Sequence, residues 1–185
     1  MLCLLSGHFA PIHNGHLEYF DAAWNYCWET TRTGDNSRID MIAIVNNDEQ
    51  VKLKGSIPFA DEDMRYEIVD ALEIIDRAFI ARDTDLSVAR TLEWLVTEYN
   101  PDDEDVFFIN SGDRQSSNMK EHEICEKYGI TEVFLDLPKI NSSSDILDKI
   151  GREWAERMWD KGAKPLTISK KCQTELLTIL NKKET

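Results

Sequence analysis

Basic residues are scarce in this chain: 21 lysines and arginines stand against 35 aspartates and glutamates, for a formal net charge of −14. Such a surface repels a nucleic-acid backbone and an anionic bilayer alike, so neither nucleic acid nor membrane is an expected partner. Any phosphate ligand must meet a local basic cluster. Cysteine is also sparse. Cys3, Cys27, Cys125 and Cys172 are scattered, without C-x-x-C or a regular spacing to histidine, so neither a zinc site nor a disulfide framework is expected. Buried or incidental thiols remain. No apolar run approaches the ~20 residues of a membrane span. The start, MLCLLSGHFAP, carries no basic leader, and a cytoplasmic protein is the expectation. Internal repeats and low-complexity segments are missing too. A chain of 185 residues then suits one domain, or one domain with a small appendage.

What is there alternates. Strand-like apolar runs occur at residues 1–6, 39–45, 77–81, 105–110 and 132–137, with little in-and-out alternation, as strands covered on both faces require. Between them, residues 15–31, 60–75, 86–99 and 117–129 space apolar side chains at three and four, the period of amphipathic helices. Strict alternation of this kind predicts an α/β, Rossmann-like, doubly wound parallel sheet of five strands. Its ligand belongs beyond the carboxyl ends of the strands, where strand order reverses. After residue 145 the pattern changes to a long amphipathic helix and a second helical stretch, with Gly162 and Pro165 at the joint. The domain is therefore drawn at residues 1–150, with 151–185 as a C-terminal helical appendage.

The segment SGHFAPIHNGH follows the first strand and opens the first helix, where a doubly wound sheet places a phosphate. His13 and His16 project from nearly the same face, and Gly15 leaves room for a ligand to approach the backbone. Two imidazole donors beside free N–H groups suit phosphate oxygens as charge builds on them. A zinc reading lacks a third ligand and the i, i+4 spacing of H-E-x-x-H. Taken alone, a pair of ordinary histidines near a turn is the simpler account. Position after a buried strand reverses that preference.

GHFAPIHNGH resembles the G-x-F-x-P-x-H-x-G-H signature of the HxGH nucleotidyltransferase superfamily, which includes cytidylyltransferases and adenylyltransferases. The resemblance covers roughly residues 1–150 and extends to later motifs in order. It implies that His13 and His16 act on the α- and β-phosphate oxygens in the transition state, with Gly7, His8, Phe9 and Gly15 around the nucleotide. In VNNDEQVKLKG, read as an extended segment, Lys52 and Lys54 share one side and both could reach a triphosphate; the resemblance implies Lys54, just before Gly55, as the stronger candidate for a catalytic lysine. Arg65, early in the next helix, matches a family segment that aims an arginine at the substrate phosphate or the sheet edge. Gly112, Asp113 and Arg114 stand where the family has G-G-D or G-D-D. Ser142, Ser143 and Ser144, at the front of the long helix, resemble its pyrophosphate-holding element; one ordinary N-cap explains one serine, not three.

The implied reaction is attack by a phosphate oxygen of an acceptor on the α-phosphorus of a nucleoside triphosphate, with Mg²⁺ carried mainly by phosphates and water, so no residue is assigned as a metal ligand. The short length and the arrangement around residues 45–55 favour CTP and transfer of CMP to a sugar or polyol phosphate. ATP with transfer of AMP is the alternative, and a non-catalytic nucleotide-binding protein a further one. Family members are commonly dimers, so a homodimer is one expectation for the apolar residues of the tail, completion of the core the other. Ala10 departs from the Asp or Asn of many relatives, which removes any polar contact made there.

Overall fold

A computed structural model describes residues 1–31, 38–56, 58, 60–99, 105–111, 119–138 and 140–160. In chain order it runs β1 (Leu2–Gly7), α1 (Asn14–Thr31), β2 (Asp40–Val45), α2 (Asp48–Leu53), α3 (Glu62–Asp70), β3 (Arg77–Ile80), α4 (Ala89–Trp94) with a π-helical turn (Leu95–Tyr99), β4 (Val106–Ser111), α5 (Met119–Tyr128), β5 (Thr131–Leu135) and α6 (Ser143–Asp160). Each expected strand is present, within a few residues. Two compact units are distinguished, Met1–Ile146 and Leu147–Thr185, so their boundary falls inside α6.

All strand pairs are parallel, in the order β3-β2-β1-β4-β5. Leu2 stands opposite Asp40 on one side and Val106 on the other, which makes β1 the central strand. From β1 the chain steps outward through β2 to β3, then crosses back to β4 and outward again to β5. The order therefore reverses between β1 and β4. With right-handed crossovers, this reversal moves the covering helices from one face to the other.

The core records that switch residue by residue. Cys3 and Leu5 of β1 join Met41 and Ala43 of β2, Phe20, Ala23 and Cys27 of α1, and Val69 of α3. Their neighbours Leu2 and Leu4 face the other way, with Ile42, Ile44, Phe108, Leu92, Leu95 and Cys125. Strand side chains alternate faces, so a strand apolar at every position must be covered twice. Cys3, Cys27 and Cys125 are buried and take part in no disulfide; Cys172 lies outside the described residues.

Residues 45–55 depart from the extended segment expected. A capping box starts α2: the Asn47 side chain accepts the Gln50 N–H at 2.9 Å, and Gln50 Oε1 accepts the Asn47 N–H at 3.1 Å. With Asp48 and Glu49 in the first turn, the helix dipole is matched as well. The helix stops at Gly55, whose φ of +80° needs no strain only in glycine.

Phe108 is fully buried between β4's neighbours and the helices of the second face. Phe108→Ala is expected to lower the unfolding free energy by about 3–5 kcal/mol, read by urea denaturation.

Candidate active site

A cavity of about 490 Å³ opens at the strand ends where the order reverses. Ser6, Gly7 and His8 line it from the end of β1, Asn110 and Ser111 from the end of β4, and Leu137, Pro138, Ile140 and Asn141 from the chain after β5. His13, Gly15, His16 and Tyr19 come from the start of α1, Lys54 from the end of α2, and Ser142, Ser143, Ser144 and Asp145 from the start of α6. The volume falls in the range of small-molecule and cofactor sites.

His13 and His16 stack with ring centroids 3.9 Å apart and planes at 26°. The His13 N–H donates to His16 Nδ1 at 3.2 Å, so the neutral ring of His16 carries its proton on Nε2. Burial, then the fields of His13, His8 and Lys54, push the His16 pKa down to about 3, and burial lowers that of His13. Near neutral pH both rings are uncharged donors.

The turn that carries them is built by packing. Phe9, 2% exposed, has a φ of 48°, a left-handed conformation that costs a non-glycine residue about 1–2 kcal/mol. Its ring meets His16 edge-on at 5.0 Å and Phe20 at 5.5 Å. A Cβ on Gly7 would stand 2.7 Å from that ring, and one on Gly15 would stand 3.1 Å from His13 Nδ1. These glycines make room for Phe9 and His13. Gly15 also lines the cavity, so its missing Cβ serves both His13 and the open space, whereas Phe9 sits beneath the site, absent from the cavity lining.

Residues 4–148 match the family described as cytidylyltransferase-like. The chain belongs to that family. By class it is a nucleotidyltransferase. Among curated relatives it is similar to an FAD synthase of Thermoplasma volcanium, 26% identical over 159 residues that cover 83% of this chain and 96% of the relative. An FAD synthase of Thermoplasma acidophilum is 25% identical over 154 residues, with the same coverage of 83% and 96%. Among solved structures, the lipopolysaccharide core biosynthesis protein from Thermoplasma volcanium shares the fold, with a TM-score of 0.53 and 23% identity over 76% of this chain and 98% of that one.

Within this cytidylyltransferase-like scaffold the remaining expected residues fall in different places. Lys54 caps α2 and lines the cavity, whereas Lys52, within the helix, does not: on a helix two residues apart point apart. Two side-chain amides, buried Gln50 and half-buried Asn47, bolt α2 in place. Gln50 Nε2 donates to the carbonyls of Asp85 and Ser87 at 2.7 and 2.6 Å, and Asn47 Nδ2 to those of Ala81 and Asp83 at 3.1 and 2.7 Å. Arg65 is only 2% exposed and lies behind the cavity, not in its lining, so its place is not on a phosphate there. Its Nη1 donates to the carbonyls of His8 (2.6 Å) and Asn46 (2.7 Å), its Nε to that of Ala60 (3.1 Å) and its Nη2 to Asp48 Oδ1 (2.7 Å).

The three serines divide. Ser142 Oγ accepts the Asp145 N–H at 3.1 Å as a helix cap, Ser143 Oγ donates to the Pro11 carbonyl at 2.9 Å, and Ser144 completes the wall. Gly112, Asp113 and Arg114 lie outside the described residues. Tyr19, Asn110, Ser111 and Asn141 are cavity residues that sequence reasoning passed over. A signal existed for two of them: Tyr19 follows His16 by one helical turn, and Asn110 ends an apolar strand on a buried polar side chain.

Among the described residues no group of three or more His, Cys, Asp or Glu side chains is placed to hold a metal, and Asp145 is the one carboxylate lining the cavity. That donor set fits a divalent ion that arrives with the nucleotide phosphates and keeps its waters. No helix among the described residues is long and apolar enough to cross a membrane.

Arg65→Met leaves Asp48 and three backbone carbonyls without their donor. It is expected to cost roughly 3–5 kcal/mol in urea unfolding, with little recovered by Arg65→Lys, whose single ammonium cannot span four acceptors. His16 makes stability depend on pH. Its ring titrates near 6.5 when unfolded and near 3 when folded, so between those values falling pH loads a proton on the unfolded chain alone. Its contribution is full above 6.5 and drains as pH falls toward 3. Relative to wild type, His16→Gln is expected to flatten the unfolding free energy over that window by up to about 1.4 kcal/mol per pH unit.

Proposed function

We propose that the protein transfers AMP from ATP to a small phosphorylated acceptor, with riboflavin phosphate as the first candidate, and releases pyrophosphate. The observation that carries this reading is the stacked, uncharged His13–His16 pair, set in one cavity with Lys54 and the N-terminus of α6. The names of the relatives favour adenylyl over cytidylyl transfer, because FAD is AMP and riboflavin phosphate joined by a P–O–P bond between their two phosphates. CMP transfer, favoured from length and residues 45–55, loses ground with the discovery that the segment is helical. An apolar wall of Leu137, Pro138 and Ile140 suits a flat ring system on the acceptor or the base.

In this reading an oxygen of the acceptor phosphate attacks the α-phosphorus in line, a new P–O bond forms, and the bond to the β-phosphate oxygen breaks. The two imidazoles donate hydrogen bonds to α- and β-phosphate oxygens. Because they are neutral, they bind the growing charge without first shedding a counter-charge. Lys54 neutralises the triphosphate, and Ser144 with the free N–H groups of α6 receives the departing pyrophosphate. A divalent ion, Mg²⁺ in most such chemistry, supplies further screening of phosphate charge when bound.

The test is pyrophosphate release from ATP, CTP, GTP and UTP, each with riboflavin phosphate and with sugar or polyol phosphates. ATP with riboflavin phosphate is expected to give FAD, and His16→Ala to slow it roughly 10²-fold or more while the fold persists. Turnover of CTP alone with a polyol phosphate would return the assignment to a cytidylyltransferase. Undiminished release by His16→Ala would remove the assigned role of the pair.

A further inference from the structure

The loop leaving β5 returns to the cavity around Asn141, and two hydrogen bonds seat it on the turn that carries the histidines. Asn141 Nδ2 donates to Asn14 Oδ1 at 2.6 Å. Ser143 Oγ donates to the Pro11 carbonyl at 2.9 Å. Beside them the Asn141 carbonyl oxygen passes 3.6 Å from the point where a Cβ on Gly15 would stand. The two hydrogen bonds span 127 and 132 residues of sequence, and neither belongs to the ladder of the sheet. Asn14 lies between His13 and Gly15 at the start of α1; Asn141 directly precedes the serines at the start of α6. The amide pair therefore joins the N-termini of the two helices that face the cavity.

We propose that Asn14 and Asn141 form a latch, a pair of positioning residues that sets the distance between the His13–His16 stack and the first turn of α6. One polyphosphate then engages both without ordering either. The proposal rests on the nucleotidyl-transfer reading above. A ligand that bridges two binding elements gains most when their spacing is set before it arrives, since otherwise part of its binding energy is spent on ordering them. The first turn of α6 has internal support: Ser142 Oγ accepts the Asp145 N–H, and the Ser142 carbonyl accepts the Ile146 N–H at 3.1 Å. Both bonds lie within the turn, so they shape it and do not locate it. Ser143 on Pro11 pins one point, about which the turn is free to pivot. Asn141 on Asn14 supplies the second point and removes the pivot.

The test follows Asn14→Ala, Asn141→Ala and the double variant in two ways: pyrophosphate release against ATP concentration, and hydrogen exchange of the Asp145 and Ile146 amides. Loss of one such bond is worth about 3–10-fold in an equilibrium. Each single variant is expected to raise KM for ATP by that factor with kcat within about twofold, and the double to be no worse than the worse single. Exchange at both amides speeds up in each. Asn14→Asp keeps an acceptor for the Asn141 amide and should hold KM near wild type, but not in the Asn141→Ala background, which separates loss of the bond from added charge. Additive losses, a fall in kcat at constant KM, or wild-type exchange rates would overturn the latch. If the wild-type chain releases no pyrophosphate from any nucleoside triphosphate, the transferase reading falls instead, and the exchange rates alone then decide whether Asn14 and Asn141 hold the turn.

Discussion

A guanidinium buried at the ends of two strands organises this site. Arg65 reaches the carbonyl of His8 beyond β1, the carbonyl of Asn46 beyond β2 and the carboxylate of Asp48 at the start of α2. Strand ends leave carbonyls without ladder partners, and buried ones must be satisfied from elsewhere. Here one side chain does so for both strands. The consequences run in two directions. Holding His8 fixes the approach to Phe9, whose left-handed backbone places its ring under His16. Holding Asp48 fixes the start of α2, whose other end presents Lys54 to the cavity. The imidazole turn and the lysine are thus referred to the same buried charge.

The chain solves an electrostatic problem locally. A protein of net charge −14 that handles polyphosphates has to exclude its own carboxylates from the site and provide donors there. Among the described residues one carboxylate lines the cavity, beside three imidazoles, one lysine and a helix N-terminus. Desolvation and mutual proximity keep His16 neutral far below its ordinary range. A neutral donor that is already dry and already oriented needs little reorganisation when charge develops on a phosphate oxygen. The stack of His13 on His16, and the glycine that makes room for it, are the structural means to that end.

Much of this was legible in the letters, and the exceptions have physical causes. The central strands were plain because a strand buried on both faces has to be apolar throughout, and Leu2, Cys3, Leu4 and Leu5 are. The histidine turn was plain because it follows such a strand. By contrast, α2 was overlooked although its capping box stands in the letters as Asn47 and Gln50; the segment was read as extended. Arg65 was read as aimed at the substrate phosphate or the sheet edge because burial of an arginine depends on acceptors 5 to 57 residues away in sequence. Gly15 was read as leaving room beside the backbone; that this room is shared with the His13 side chain, and that Gly7 makes room for Phe9, only the folded turn reveals.

What the sequence determined by itself is periodicity and order: which segments are strands, which are helices, and that a turn carrying two histidines follows the first of them. These are local properties, set by backbone geometry and by the faces each element must cover. The tertiary structure alone decided which polar side chains share the cavity. Lys54 entered it and Lys52 did not, Arg65 went beneath it, and Asn141 came to rest against Asn14, because each outcome depends on hydrogen-bond partners that only the folded sheet brings within reach.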